Sequence, residues 1–467
     1  MPSRLLNSQG ASRGFRAALL GFGPDGSPWR IDDGLLAVGE GRILDLGQHA
    51  EVAARNPGLP VVDWRGLVLA PGFIDVHVHY PQVEIIGSPA PGLLPWLERY
   101  TFPLEAGFAD PERAARTAAF FLDELLRNGV TSALVWGSAH PQSVDAFLAE
   151  SRARRLRMIA GKCLMDTGVP AGVRDDASGG LADTAALIER WHGVDRLGCA
   201  ITPRFAPSCS PAQLAGAGEL ARAHPTVWVQ THAAEHADEL ALVQRLHPGA
   251  RSYLDVYDAA GLLRPRSVFA HCIHIDDHDR RRLADAGASV AVCPTSNLFL
   301  GSGLFDFDAA DEAGVRWALA SDVGAGTSLC PMRTMLAAFE VARLRGVTLS
   351  AAQLWWHHTA GAARAVGLEG LVGNLAAGME ADFIALDPQA SPLLARRTEA
   401  AESLEEWLFA MMTLGDDRAV RRVVVLGELA GGVRAFGVGR GQRRGRSAPG
   451  RARVLAPAAQ GFPAVLG

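Results

Sequence analysis

Two histidines one residue apart, His77 and His79, close the apolar run in "PGFIDVHVHYPQ" (71–82). Alternate side chains of a strand share a face, so both imidazoles could reach one metal ion. They could equally be two hydrogen-bonded histidines, and a metal site needs more ligands than two. Three further metal-competent side chains stand in the same kind of place. His232 ends "TVWVQT", His271 ends "RSVFA" and Asp322 ends "VRWALAS". Neutral imidazoles with a carboxylate suit zinc or iron, with one position left open for water. Each residue alone has a plainer explanation: a histidine satisfied by a hydrogen bond, or Asp322 as a helix cap. Glu235, three residues beyond His232 in "THAAE", could take and return protons beside a metal-bound water. It could as well complement the first turn of a helix.

Chemistry of this kind needs strands that end at one mouth. "DPERAARTAAFFLDELLRNGVTSALVWG" predicts a helix with Asp110 as N-cap and Pro111 at its first position, stopping near Asn128–Gly129 before a buried strand. "SPAQLAGAGELARAHPTVWVQTH" repeats the unit from Ser210 and Pro211 to His232. "DDHDRRRLADAGASVAVCPTSN" and "FDAADEAGVRWALASD" repeat it again, the last ending at Asp322. Helices alternating with short apolar strands predict an α/β fold with a parallel sheet, and residues 71–370 suit a closed (β/α)8 TIM-like barrel. A doubly wound open sheet follows the same pattern. In such a barrel the chemistry lies at the C-terminal ends of the strands, where these residues fall.

The flanks read differently. Residues 1–70 alternate β-like runs with turns, Gly39-Glu40-Gly41 reading as a hairpin, and residues 371–436 return to β. The two ends are expected to form one small β-sandwich domain beside the barrel. Residues 437–467 carry six arginines and no acid, which reads as a disordered tail. His357 and His358 in "QLWWHHTAG" read as structural or surface residues, and His140, His192, His224 and His247 as loop or helix-end residues.

Bulk properties exclude several classes. The 467 residues are 48% hydrophobic and 20% charged with net charge −5, an ordinary globular balance that implies no strongly basic or acidic partner over the main body; nucleic acid is not an expected partner, the Arg-rich tail being the one segment that could contact RNA. No run approaches a membrane span and no signal-peptide core opens the chain, so a cytoplasmic location is the expectation. Cys163, Cys199, Cys209, Cys272, Cys293 and Cys330 include no C-x-x-C pair. That excludes a disulfide framework, a structural zinc finger and the deaminases built on P-C-x-x-C.

"PGFIDVHVH", "QTHAAE", "FAHC" and "ASDVG" resemble, in order, the metal and proton-transfer signatures of the amidohydrolase superfamily. The likeness is closer to its guanine deaminase family. "HVHYPQ", "LLPWLERYTFPLE", "TPRFAPSCS", "CPTSNLFLGSG" and "LGDDR" are similar to segments of that family, and the resemblance covers roughly residues 25–428. H-x-H alone is a common pattern; the ordered set with two long loop matches is specific.

The resemblance implies one zinc ion held by His77, His79, His232 and Asp322. It implies that His271 orients the attacking water and that Glu235 shuttles protons. Gln82 and Arg204 are implied to read the purine edge, with Phe205 packing on the ring and His79, His232, Glu235 and Asp322 touching substrate. The implied reaction is hydrolysis of guanine to xanthine and ammonia, in a homodimer. The residues fit such a task, since Arg204 suits a carbonyl oxygen and Gln82 offers donor and acceptor. A strand-end salt bridge and a core phenylalanine explain Arg204 and Phe205 equally. Trp96 and Tyr100 could cover the site or merely pack. The nearest rival is a sister deaminase or chlorohydrolase acting on another purine, a pterin, cytosine or an s-triazine. A non-catalytic scaffold of the same fold is the rival of another class.

Overall fold

The structure is a computed structural model that describes residues 12–430. The Arg-rich stretch 437–467, with its expected disorder, lies outside the described residues. In chain order, β1 (Arg13–Phe22), β2 (Pro28–Gly39), β3 (Arg42–Gln48) and β4 (Val61–Pro71) come first. β5 (Phe73–His79), β6 (Val130–Trp136), β7 (Arg157–Gly161), β8 (Cys163–Leu164) and β9 (Gly198–Pro203) follow. β10 (Trp228–Ala233), β11 (Ser267–His271), β12 (Ser289–Val292) and β13 (Arg316–Leu319) continue the series, and β14 (Phe383–Leu386), β15 (Val420–Val425) and β16 (Glu428–Leu429) end it.

β5, β6, β7 and β9 to β13 lie side by side in that order, with β8 added to β9. Every pair among them is parallel. The sheet returns on itself as a (β/α)8 barrel, which removes the open doubly wound alternative. The seam is stitched by the segment after β13: Asp322 N donates to His77 O at 3.0 Å and His79 N to Val323 O at 2.8 Å. The barrel's closure and the histidine pair are therefore one piece of structure.

Local sequence explains the helices. In Pro111–Arg127 the Asp110 carboxylate accepts from Glu112 N, and Ala114, Ala118, Phe121, Leu122 and Leu125 recur at three- and four-residue spacing on the buried face. Pro211–Ala223 begins the same way, Ser210 accepting from Gln213 N. Inside the barrel, Ile74, Val76, Leu134, Ile159, Ala200, Val268, Ala270, Ala291 and Ala318 form a closed apolar cluster.

The chain ends pair into one seven-stranded sheet, ordered β16-β15-β14-β4-β1-β2-β3. Glu40 and Gly41 make the β2–β3 hairpin with φ of 53° and 76°, the left-handed pair that a two-residue turn requires. On one face Phe15 packs against Trp64 and Phe383 in a core of its own. On the other, Ala18, Leu20, Phe22, Val68 and Ala70 join the core under the barrel helices. Buried Arg196 bridges Glu380 and Asp382, tying the start of β9 to the segment before β14. Residues 371–436 are not all β: Pro392–Glu399 and Leu404–Leu414 are helices. Trp407, Leu408, Met411 and Met412 of the second share a core with Met332 and Met335. Among the described residues no helix is long and apolar enough to cross a membrane.

Candidate active site

His77 and His79 reach the barrel mouth through an irregularity in β5. Ile74 and Val76 face the barrel interior while Val78 faces the helices. The register with β6 shifts between Asp75 and Val78, which turns His77 and His79 inward. Asp75 pins this kink, accepting from His77 N at 3.2 Å and Ser321 N at 3.1 Å. Ala234 (φ 51°), His271 (φ 71°) and Asp322 (φ 49°) sit in the left-handed region just at or after three strand ends. Such backbone costs on the order of 1–3 kcal/mol per residue and persists where the surrounding packing dictates it.

The four side chains expected as metal ligands converge. Nε2 of His79 lies 3.2 Å from Nε2 of His77 and 3.3 Å from Nε2 of His232. Oδ1 of Asp322 lies 3.1 Å from His77 Nε2 and 3.3 Å from His79 Nε2. In a tetrahedron of bonds about 2.0–2.1 Å long, ligand atoms stand roughly 3.3 Å apart, so the spacing fits a small divalent cation. The tautomer of His232 fits as well. His232 Nδ1–H donates to the Arg204 carbonyl at 2.7 Å, which leaves its Nε2 lone pair pointing at the cluster. Burial drives His77, His79 and His232 below the ordinary histidine range, His79 to about 3, so the rings are neutral, the form that can bind a cation. Against the upward push of burial, the close imidazoles of His77 and His79 hold Asp322 well below the usual carboxylate range. The Trp136 indole stands beside all three rings, 4.4 Å from His232, 4.9 Å from His79 and 5.2 Å from His77.

A second grouping, His77, His271, Cys293 and Asp322, shares two of these residues. Burial, and then Asp322, push the Cys293 thiol well above its ordinary value, and a protonated thiol is a poor ligand. The three-histidine set is therefore the better cation site. His271 stands beside it: Nδ1–H donates to Asn297 Oδ1 at 2.9 Å, and its buried Nε2 has no hydrogen-bond partner among the described residues.

Glu235 precedes the helix Ala237–Leu246, whose first turn carries Asp238 and Glu239 instead. Its carboxyl, 2% exposed, accepts from Ser302 Oγ at 3.0 Å and lies 3.4 Å from His271 Nε2. Burial first, then the charges of Asp322 and Glu239, raise its pKa well above the ordinary value. A carboxyl with that affinity for protons can both take and return one. Glu239 fixes the backbone here, accepting from Glu235 N at 2.9 Å and Tyr253 OH at 2.6 Å.

These groups open into one cleft. His79, Gln82, Arg204, Phe205, His232, Glu235 and Asp322 all line it, with Leu93, Trp96, Leu97 and Leu300 as apolar walls. Trp96 is thus part of the wall, whereas Tyr100 lies outside the lining and bonds Pro89 O at 3.0 Å. His357 and His358 are buried at the opposite, N-terminal ends of strands, bonded to the carbonyls of Trp317 and Ile74. All six cysteines are free and buried.

Sequence reasoning missed Glu105, Glu239, Asn297 and Ser302, which touch the expected site residues from other elements. It also passed over Lys162, the only lysine of the chain. Lys162 is wholly buried behind the cleft and pairs with Asp175 at 2.7 Å. Its rarity in an arginine-rich sequence was the available signal. Lys162→Met is expected to destabilise the fold by about 3–5 kcal/mol, because it strands a part-buried carboxylate. Denaturant unfolding measures this, and the double change Lys162→Met with Asp175→Leu should recover most of the loss.

Residues 68–430 match the Amidohydrolase family. Guanine deaminase of Escherichia coli (strain K12) is 44% identical over 400 residues, covering 85% of this chain and 91% of that protein. The solved E. coli guanine deaminase superposes with a TM-score of 0.87 at 42% identity, covering 89% of this chain and 99% of that one. Guanine deaminase from C. acetobutylicum, solved with guanine in its active site, gives a TM-score of 0.83 at 27% identity, covering 90% and 100%. The order of motifs, the closed barrel and these likenesses agree: the chain belongs to the amidohydrolase family.

Proposed function

We propose that this amidohydrolase deaminates guanine hydrolytically, giving xanthine and ammonia. The observation that carries the reading is a single cleft holding a cation-binding cluster, a proton-avid carboxyl and a fixed polar edge of Arg204 and Gln82. The E. coli relative of that name and the guanine-bound C. acetobutylicum structure support the same substrate.

His77, His79, His232 and Asp322 would hold the ion, and zinc suits a set of three imidazoles and one carboxylate. When bound, such an ion supplies a Lewis acid that brings the pKa of water toward neutrality. The chain's own groups do the rest. Arg204 donates to the purine carbonyl oxygen and Gln82 to the adjoining edge, while the apolar wall and Phe205 hold the ring flat. Glu235 takes a proton from the attacking water and delivers it to ring nitrogen N3 as the C2–O bond forms. It then passes the second water proton to the exocyclic amine as the C2–N bond breaks. His271, fixed by Asn297, orients the nucleophile. A cytoplasmic homodimer belongs to the same reading.

The test combines elemental analysis of the purified protein with a guanine-to-xanthine absorbance assay. A panel of other purines, a pterin, cytosine and an s-triazine is followed by ammonia or chloride release. One divalent ion per chain and a marked preference for guanine are expected; preference for another heterocycle overturns the substrate. Arg204→Ala should keep the metal and lower kcat/KM for guanine by roughly 10²-fold or more, since it removes a charged hydrogen bond and strands Glu105. An unchanged kcat/KM would remove Arg204 from substrate recognition.

A further inference from the structure

Behind the polar edge lies a carboxylate that this reaction scheme does not use. Glu105, on the helix Phe102–Ala106, is wholly buried and does not line the cleft. One of its oxygens accepts from Gln82 Nε2 at 2.8 Å and the other from Arg204 Nη1 at 2.7 Å. The Gln82 amide is pinned at its other end, where Oε1 accepts from Gly324 N at 3.2 Å.

We infer that Glu105 is a specificity-determining positioning residue, which sets the orientation of Gln82 and cancels the charge of Arg204 so that the cleft prefers a neutral purine to an anionic one. The inference rests on the guanine reading above.

The orientation follows from hydrogen-bond chemistry. An ionised carboxylate only accepts, so Gln82 must turn its NH2 toward Glu105 and its oxygen toward the Gly324 N–H. One N–H and one lone pair of the amide are left for ligand. With glutamine at position 105, either end of the Gln82 amide could face it, and the purine edge would lose its fixed pattern of donor and acceptor.

The charge argument is independent of the orientation. A guanidinium 2% exposed attracts anions strongly unless a counter-charge stands beside it. The groups facing Glu105 are few. Arg204 touches it, Cys163 and His140 lie beyond within electrostatic reach, and Lys162 and Asp175 stand next to those two. Lys162 is already matched by Asp175, and burial pushes the Cys163 thiol up so that it stays neutral. Burial likewise lowers the pKa of His140. Arg204 is thus the chain's own cation at the purine edge; Asp322 and Glu235 also face it, but Glu105 is the carboxylate in direct contact with it. The balance matters for this reaction because substrate and product differ in acidity. Replacing the exocyclic amine by a second carbonyl makes the ring N–H groups more acidic, so xanthine ionises more readily than guanine as pH rises. With Glu105 beside it, Arg204 adds no net positive charge at the purine edge and that anion is released; an unbalanced Arg204 would retain it.

The test is steady-state kinetics on guanine with xanthine as product inhibitor, from pH 6 to pH 9, for the metal-loaded parent, Glu105→Gln and Glu105→Asp. Glu105→Gln should keep its metal and raise KM for guanine by roughly 10- to 100-fold, with a smaller change in kcat. Its inhibition constant for xanthine should fall below that of the parent, and the gap should widen as pH rises. Glu105→Asp keeps the charge and should return the parent's pH trend in xanthine inhibition even if KM stays raised. Weakening of xanthine and guanine together, without a pH trend, means a merely structural role and overturns the inference; so do parent-like constants in Glu105→Gln. If Glu105→Gln does not fold, Glu105→Asp decides, since a changed pH trend in a charge-retaining variant contradicts the proposal. Failure of the parent to turn over guanine would strike the substrate reading instead, and is visible before any variant is made.

Discussion

Glu235→Gln is expected to lower kcat for guanine by roughly 10²- to 10⁴-fold while the metal content stays that of the parent, the usual scale for removing a general acid–base. The reason lies in what the substitution leaves intact. Glutamine fills the same volume, and its carbonyl can still accept from Ser302 Oγ, which stands 3.0 Å from the native carboxyl. The three histidines and Asp322 are untouched. What is lost is the ability to accept a proton and give it back. Burial and the neighbouring charges of Asp322 and Glu239 already disfavour a charged Glu235, so the neutral amide should not lower the melting temperature and should raise it if anything. The measurements are metal stoichiometry, thermal unfolding and kcat at saturating guanine on one preparation. A variant with full metal and a near-parental kcat would remove Glu235 from proton transfer.

Asp322→Ala should abolish turnover and metal binding together. Its carboxylate is the one anion of the set, 3.1 Å and 3.3 Å from two imidazole nitrogens, and it is 5% exposed. Without it a doubly charged ion would sit among neutral rings in a buried site, with its charge uncompensated. The loss of activity should be on the order of 10⁶-fold or more, the lower end of what enzymes gain over the uncatalysed reaction. Elemental analysis after dialysis should find well below one ion per chain. Stripping the parent with a chelator and restoring a divalent ion should recover its activity, and the same treatment should do nothing for Asp322→Ala. A stability readout separates binding from chemistry. Free ion at about 100 times its dissociation constant should stabilise the parent by roughly 2.7 kcal/mol and the variant not at all. A variant that retained stoichiometric metal and measurable turnover would exclude Asp322 as a ligand.

Both predictions concern residues whose importance could be read from the chain, and the reason is locality. A cap such as Asp110 before Pro111 depends on neighbours a few residues away, as does the Glu40–Gly41 turn, and both appear as read. Polar residues that close apolar strands are also visible locally, and barrel topology sends all such ends to one mouth. Glu105 was not legible in this way. It lies 23 residues beyond Gln82 and 99 before Arg204, and its two contacts exist only because the loop after β5 folds back over the strand ends. The helices at 392–414 lie between two segments of β pattern, and packing against the barrel helices decides them.

The sequence by itself determined the alternation of helix and strand and the ordered set of metal-competent residues with Glu235 beside them, because each is written in residue type and short spacing. Tertiary structure decided which way they point. Strict alternation along β5 would place His77 and His79 on the face opposite Ile74 and Val76, away from the barrel interior. The break in register after Asp75, held by the Ser321 amide some 246 residues along the chain, turns them in. A side-chain period of two fixes faces only until the backbone inserts a residue, and such an insertion is set by long-range hydrogen bonds that no local pattern records.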